Sequence, residues 1–517
     1  MNAMARKSEF SSGRPALPRG LETPGRAKPK SLTHKLSLAA VWLAVATSAI
    51  VFTEPAPTDA LMLGLVVLLP VVGLVRFNPP IIAFAALLLV INAFGYVATI
   101  GVVDYSDATK HTAVSLYLSL AAVVIAAFVA RRPVEATRLL LGAQLAGALV
   151  AAAAGIAGYF DLVPGGSDLL TRFGRASGTF KDPNVLGSFL VPAIVYALHL
   201  WIHRPLHKGL GYAAALAVLS LALLLTFSRG AWGIAAIAVA IYLYVAFVTS
   251  NRNGDRVRII GLGLAGILAL IPLFAFAVSS DGVGELFAER ASLTQSYDVG
   301  PEGRFGGQRK ALDLIAENPF GIGAGEFPKG HHPEDVHNVY LSMFLNAGWI
   351  GGSGYLALVA GVLVLGFARS FRGNPTGGLT LVAVASLAAI VFEGTIIDTD
   401  HWRHFYLLLG VVVGLLASRP PRNARPARIV RDRRPILLRP VVLLAPARRG
   451  ARILRPAPTG AVRPSAARVT IDLRALQGYG ASKRKAKLIG PVRPKRPPRL
   501  IGGDQSRWKR PALPSTA

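Results

Sequence analysis

An all-α, polytopic membrane fold is what this sequence predicts, and three observations carry it. Apolar residues come mostly in runs of about 17 to 22, close to the roughly 20 that a helix needs to cross a hydrocarbon core. Hydrophobic residues make up 52% of the 517 and mean hydropathy is +0.48. Charge avoids the runs: the formal +29 resides in two tails, and residues 36–418 between them are neutral overall.

Taken in chain order, residues 1–35 hold eight Lys+Arg against Glu9 and Glu22 and read as a basic cytoplasmic tail. The basic stretch and the apolar run behind it superficially resemble a signal peptide, but eleven further spans favour an uncleaved first helix. Twelve spans are expected, at 36–53, 59–75, 81–100, 111–130, 139–160, 185–202, 210–227, 231–248, 259–279, 350–368, 378–396 and 404–417. Residues 210–248 are one apolar stretch interrupted only by Ser228-Arg229-Gly230. As one helix, rising about 1.5 Å per residue, it would be nearly twice too long for a bilayer core of about 30 Å. It is therefore expected to be a hairpin with Arg229 at its tip. Residues 280–338 form the large polar loop of the 36–418 membrane domain.

Residues 419–517 hold 26 Lys+Arg against Asp432, Asp472 and Asp504, are rich in Pro and Arg, and lack sustained periodicity. They are expected to be a disordered cytoplasmic tail leaning on anionic headgroups, each basic residue contributing about 1 kcal/mol near the surface. Because the basicity belongs to the tails, no nucleic-acid partner is expected. The absence of cysteine removes disulfide and thiolate chemistry.

The positive-inside bias sets the orientation. An even number of spans puts both tails on the face whose loops carry Arg76, Arg131, Arg132, Arg138, Arg204, Lys208, Arg252, Arg256, Arg258, Arg369 and Arg372. That face should be cytoplasmic. Arg172, Arg175, Lys181, Arg229, Arg403 and the 280–338 cluster then break the rule on the outer face, where cations are expected to be held for a task.

Three outer segments carry candidate chemistry. Arg172-Phe173-Gly174-Arg175 precedes Lys181-Asp182-Pro183-Asn184 and the span at 185. Asp182 and Asn184 read first as cap residues, whereas Arg175, at a glycine-lined helix entrance, could meet an anion with both guanidinium and backbone donors. Arg229 reads either as an interfacial arginine snorkelling to the headgroups or as a functional one. In the third segment, Gly303-Arg304 leads to Gly321-Ile322-Gly323-Ala324-Gly325, which is no dinucleotide fingerprint because no strand precedes it. These glycines suit a tight turn or close backbone approach to a ligand. His337 opens a short amphipathic stretch before the next span and, in sequence context with Arg304, reads as catalytic rather than merely capping. Glu393, near the outer end of a span, is placed to pair with a cation or face a polar cavity. Two metal readings are set aside. Asp398-Thr399-Asp400 lacks the sheet that Asp-x-Asp sugar-nucleotide sites use, and His331, His332 and His337 with Glu334 or Asp335 match no standard zinc spacing.

Taken together, Gly178-Thr179-Phe180-Lys181-Asp182-Pro183-Asn184, Thr226-Phe227-Ser228-Arg229-Gly230-Ala231-Trp232, Gly303-Arg304, Asn318-Pro319-Phe320-Gly321-Ile322-Gly323, His337-Asn338-Val339-Tyr340-Leu341 and Ala347-Gly348-Trp349-Ile350-Gly351 resemble the O-antigen ligase family, which includes O-antigen and exopolysaccharide polymerases. The resemblance covers about residues 165–365. It implies a GT-C-type glycosyltransferase of the bacterial inner membrane, moving oligosaccharide from undecaprenyl diphosphate to a sugar hydroxyl at the periplasmic face. It implies no metal, nucleotide sugar or other cofactor. By motif position the catalytic residues fall on Arg175, Arg229, Arg304 and His337, with Arg172, Lys181, Asn338 and Glu393 as substrate-binding candidates. Expected partners are the lipid-linked donor, a glycan or lipid A-core acceptor, membrane lipids and polysaccharide assembly proteins. The motifs do not choose ligase from polymerase; the compact outer apparatus leans toward a polymerase or an exopolysaccharide-type ligase. A lipid-linked glycan transporter is the alternative from another class, but no clear internal repeat is seen. A non-catalytic assembly scaffold would explain the tail but not the arginine and histidine motifs.

Overall fold

The computed structural model describes residues 32–278, 300, 303–371 and 376–418. The readings of the N-terminal tail before 32, of most of 279–302 and of the basic tail 419–517 concern residues outside this set. The described chain is all-α apart from one two-stranded hairpin.

Each of the twelve expected segments falls on a helix. The order is α1 (Leu32–Ala46, extended by a 3-10 turn to Ala49), α2 (Pro57–Val71), α3 (Pro79–Ala98), α4 (Tyr105–Arg131) and α5 (Pro133–Tyr159). Then come α6 (Gly166–Leu170), strands β1 (Thr171–Arg172) and β2 (Arg175–Ala176), α7 (Pro183–Ile202), α8 (Leu206–Leu225), α9 (Arg229–Thr249) and α10 (Asn253–Val278). The chain closes with α11 (Arg304–Glu317), α12 (Glu326–Gly330), α13 (Val339–Ser370), α14 (Gly377–Glu393) and α15 (Arg403–Ala417). Among the described residues, eight helices are long and apolar enough to cross a membrane; α2, α14 and α15 are shorter apolar helices.

Local chemistry sets the helix starts. Proline opens α2, α3, α5 and α7, where its missing N–H would be unpaired in any case. Asn78 caps α3 by accepting from the Ile81 N–H at 3.3 Å, and Asp182 caps α7 by accepting from Asn184 at 2.7 Å.

The buried core lies where α15 packs on α4, α13 on α3, α7 on α8 and α9 on α14. Gly410 and Gly414 let α15 lie against α4, since a Cβ at either position would stand 2.7 or 2.6 Å from the Ala122 or Ala126 carbonyl oxygen. Small residues of this kind bring membrane helices into close contact. Across the end of the bundle, Arg403 at the start of α15 forms two 2.7 Å bonds to the Asp59 carboxylate in α2, and the Tyr117 hydroxyl of α4 donates to Asp59 at 3.3 Å. Arg403, expected from charge asymmetry to serve a task, is thus tied into a strut between helices.

Residues 280–338, expected as loop, contain α11 and α12. Their glycine-rich turn meets protein backbone. Gly348 has φ 65° and breaks α13 there, separating the short amphipathic 339–347 segment from the long span. The Ile322 N–H donates to the Leu345 carbonyl at 2.8 Å and the Trp349 N–H to the Pro319 carbonyl at 2.9 Å. A Cβ on Gly348 would sit 2.5 Å from the Pro319 oxygen. The close approach expected of these glycines is therefore to the kinked helix.

Candidate active site

The hairpin of β1 and β2 turns through Phe173 and Gly174, with φ 54° and 67°. Positive φ at both central residues is the geometry of a two-residue hairpin turn that follows strand twist. The turn separates two arginines adjacent in the ladder. Arg172 stays exposed, its guanidinium 5.2 Å from the centroid of the Phe173 ring and donating to the Lys181 carbonyl at 2.8 Å. Arg175 is buried, donating Nε–H to the Thr226 carbonyl at 2.7 Å and an Nη2–H to Asn184 Oδ1 at 2.8 Å. It thereby joins the tip of the α8–α9 hairpin to the entrance of α7.

Arg229 and Arg304 are each the first residue of a helix, α9 and α11. Helix N-termini present unpaired N–H groups and the positive end of the macrodipole, so both arginines stand where an anion is already favoured. Ser228 caps α9 by accepting from the Ala231 N–H at 3.3 Å. Arg175, Arg229 and Arg304 line one cavity of about 410 Å³ with Asn184, Ser228, Gly230 and Glu393. Phe227, Phe305, Phe392, Ile396 and Ile397 supply its apolar wall. Glu393 is 1% exposed and accepts from the Ser188 hydroxyl at 2.6 Å. Such a cavity can hold a strongly anionic group against an apolar one.

His337 does not line that cavity, but it lies within electrostatic reach of Arg304. Its backbone is left-handed, φ 51°, an uncommon state for a residue with a side chain and one that surrounding structure must hold. The chain is tied down just beyond it, where the Val339 N–H donates to the Gly394 carbonyl at 2.9 Å, and the Asp398 carboxylate lies beside the His337 backbone. Asp398 accepts from the Ser342 hydroxyl at 2.6 Å. Burial first, then the neighbouring Asp400 carboxylate, pushes the Asp398 carboxyl up to about 7. Burial and the Arg304 guanidinium push the His337 imidazole below its ordinary 6.5, against a smaller opposing pull from Asp335 and Glu334. The Glu334 carboxylate is 3.7 Å from His337 Nε2. A depressed imidazole is neutral near pH 7 and can accept a proton.

Of the residues singled out from sequence, the fold brings Arg175, Arg229, Arg304 and Glu393 to one cavity and sets His337 near Arg304. Lys181 lines a neighbouring cavity of about 190 Å³ and lies 3.5 Å from the Glu54 carboxylate. Asn338 caps α13, its Oδ1 accepting from the Tyr340 and Leu341 N–H groups at 3.1 and 3.3 Å. Arg172 packs outside the cavity.

Sequence reasoning missed three residues. Asn184, read as a cap, orients Arg175; Ser188, one turn further along α7, holds Glu393; and Asp398, met only within an Asp-x-Asp pattern, accepts from Ser342 of α13 beside His337. For Asn184 the available signal was that Asp182 already fills the cap, which frees the second polar side chain for another partner.

No curated protein matches the chain. The family model for O-antigen ligase matches residues 214–356, which contain Arg229, Arg304 and His337. The match spans about a quarter of the chain, and over those residues the protein is similar to the O-antigen ligase family.

Proposed function

We propose that this protein transfers or polymerises oligosaccharide from undecaprenyl diphosphate onto a glycan hydroxyl, at the periplasmic face of the bacterial inner membrane, in surface-polysaccharide synthesis. The observation that carries the reading is the meeting of Arg175, Arg229 and Arg304 on one cavity, with His337 near Arg304. Breaking a glycosyl–diphosphate bond leaves a multiply charged lipid diphosphate. Guanidinium forks match phosphate oxygens in pairs and stabilise that charge as it develops, the part a divalent cation plays elsewhere. The apolar wall suits the first isoprene units of the carrier.

In the step itself the acceptor oxygen forms a bond to the anomeric carbon as the bond from that carbon to the phosphate oxygen breaks. The bonding pair leaves with the diphosphate, the hydroxyl proton passes to His337, and single displacement inverts the anomeric centre. Glu393, held by Ser188, lines the same cavity as the guanidiniums and would orient them or a sugar hydroxyl. Membrane lipids and polysaccharide assembly proteins are the expected neighbours.

The test is transfer by purified protein in lipid, from an undecaprenyl-diphosphate oligosaccharide to a glycan acceptor, read as a new glycosidic bond. His337→Ala should insert normally and lose transfer. Movement of donor across the bilayer with no new bond would instead mean a transporter, and full activity in the His337 variant would remove the assigned base. Deleting the gene separates the acceptors. Single unextended repeats on the cell mean a polymerase, and long chains held on the carrier with none on lipid A-core mean a ligase.

A further inference from the structure

On the same end of the bundle, a second cluster is built from two elements far apart in sequence. His111 lies in the second turn of α4, and Asp400 and His401 lie in the 394–402 connection between α14 and α15. His111 Nε2 is 3.1 Å from Asp400 Oδ2, and His401 Nε2 is 3.9 Å from the same oxygen. The two imidazole rings lie with centroids 4.0 Å apart, tilted by 38°. One ligand atom from each of the three residues falls within 4.8 Å of the others. Asp400 is 8% exposed and both histidines are part-buried.

We propose that His111, Asp400 and His401 bind a divalent transition-metal ion of the zinc type, clipping α4 to the 394–402 connection.

Two imidazole nitrogens and one carboxylate form a ligand set suited to such an ion and not to calcium or magnesium, which take oxygen ligands. With metal–ligand bonds of about 2.0–2.1 Å, a tetrahedral site has edges of about 3.3 Å, so the His111–Asp400 edge already fits and the others, all within 4.8 Å, would close in on the ion. His111 is within hydrogen-bond distance of Asp400, whereas His401, at 3.9 Å, is too far from that carboxylate for one and meets the Ser115 hydroxyl instead, so Asp400 and His401 face each other without a direct bond. A cation placed between them would be shared by both nitrogens and the Asp400 oxygen. The Ser115 hydroxyl, 2.9 Å from His401 Nε2, is near enough that it or a water would complete the shell. The Ser115–His401 contact already joins the two ligand-bearing elements, and the ion would add a stronger tie on the connection that carries Asp398.

The inference does not rest on glycosyl transfer, and its test reads binding. The full chain in detergent is stripped with a chelator and titrated with zinc chloride by calorimetry, then loaded with cobalt chloride for its visible spectrum. The expected results are saturable binding of about one equivalent, a tetrahedral cobalt band, and a melting temperature that rises with zinc. His111→Ala and His401→Asn should each weaken binding by about tenfold or more. A variant with both His331→Ala and His332→Ala should bind as the parent does. If a ligand variant does not fold, the cobalt spectrum of the parent still decides. Absence of a tetrahedral band there overturns the proposal, as does binding that survives both the His111 and His401 substitutions or is lost with His331 and His332.

Discussion

Arg175 donates its Nε–H to the Thr226 carbonyl at 2.7 Å while Asn184 accepts from its Nη2 at 2.8 Å, so the guanidinium is aimed by two different helices at once. Asn184→Ala keeps the Asp182 cap and should leave α7 intact, yet it releases one side of the fork. Transfer is expected to fall about tenfold, with the loss in kcat rather than in folding yield, because a loosened group loses orientation before it loses charge. Unchanged turnover in a well-inserted variant would show that Thr226 alone is enough.

Arg304→Lys should be nearly as damaging as Arg304→Ala, at about a hundredfold below the parent. Lysine keeps the charge at the start of α11 but not the planar fork that spans two phosphate oxygens. Transfer from a lipid-diphosphate donor measures it, and near-normal turnover by the lysine variant would mean that charge alone suffices.

The pH dependence of transfer should show an acid limb below 6.5. Burial and the Arg304 guanidinium lower the His337 pKa, so the base is neutral and competent at pH 7 and is lost as protons bind at lower pH. His332 adds to the lowering, while Asp335 and Glu334 oppose it. Arg304→Gln removes the cationic neighbour, so its residual activity should show the acid limb at higher pH. A limb that stays in place would separate His337 from the titrating group.

Breaking the Asp59–Arg403 pair should destabilise the bundle without touching the chemistry. Arg403→Ala leaves the Asp59 carboxylate among α2, α4 and α15 with only the Tyr117 hydroxyl and the Ala56 N–H, at a cost on the order of 3 kcal/mol. Asp59→Asn combined with Arg403→Ala should recover part of that loss, since no charge is then stranded. Melting in detergent is the measurement, and additive losses would show that the pair does not act as a unit.

The sequence by itself determined the fold class and the placement of the apolar helices, eight of which are long enough to cross a membrane among the described residues, because hydrocarbon admits only backbone that satisfies its own hydrogen bonds and that demand writes long apolar runs into the chain. It also determined the hairpin at Ser228-Arg229-Gly230, since bilayer thickness forbids one helix there. Runs of apolar residues, however, carry no record of which helix lies beside which. Only the tertiary structure decided that Arg175, Arg229, Arg304 and Glu393, spread over more than two hundred residues, line one cavity. It likewise assigned Asn338 to a cap, Arg403 to a strut and the turn at 319–325 to the kink at Gly348. Charge asymmetry marks a cation as unusual for its face, but whether it meets a substrate or a carboxylate depends on partners that packing alone brings near.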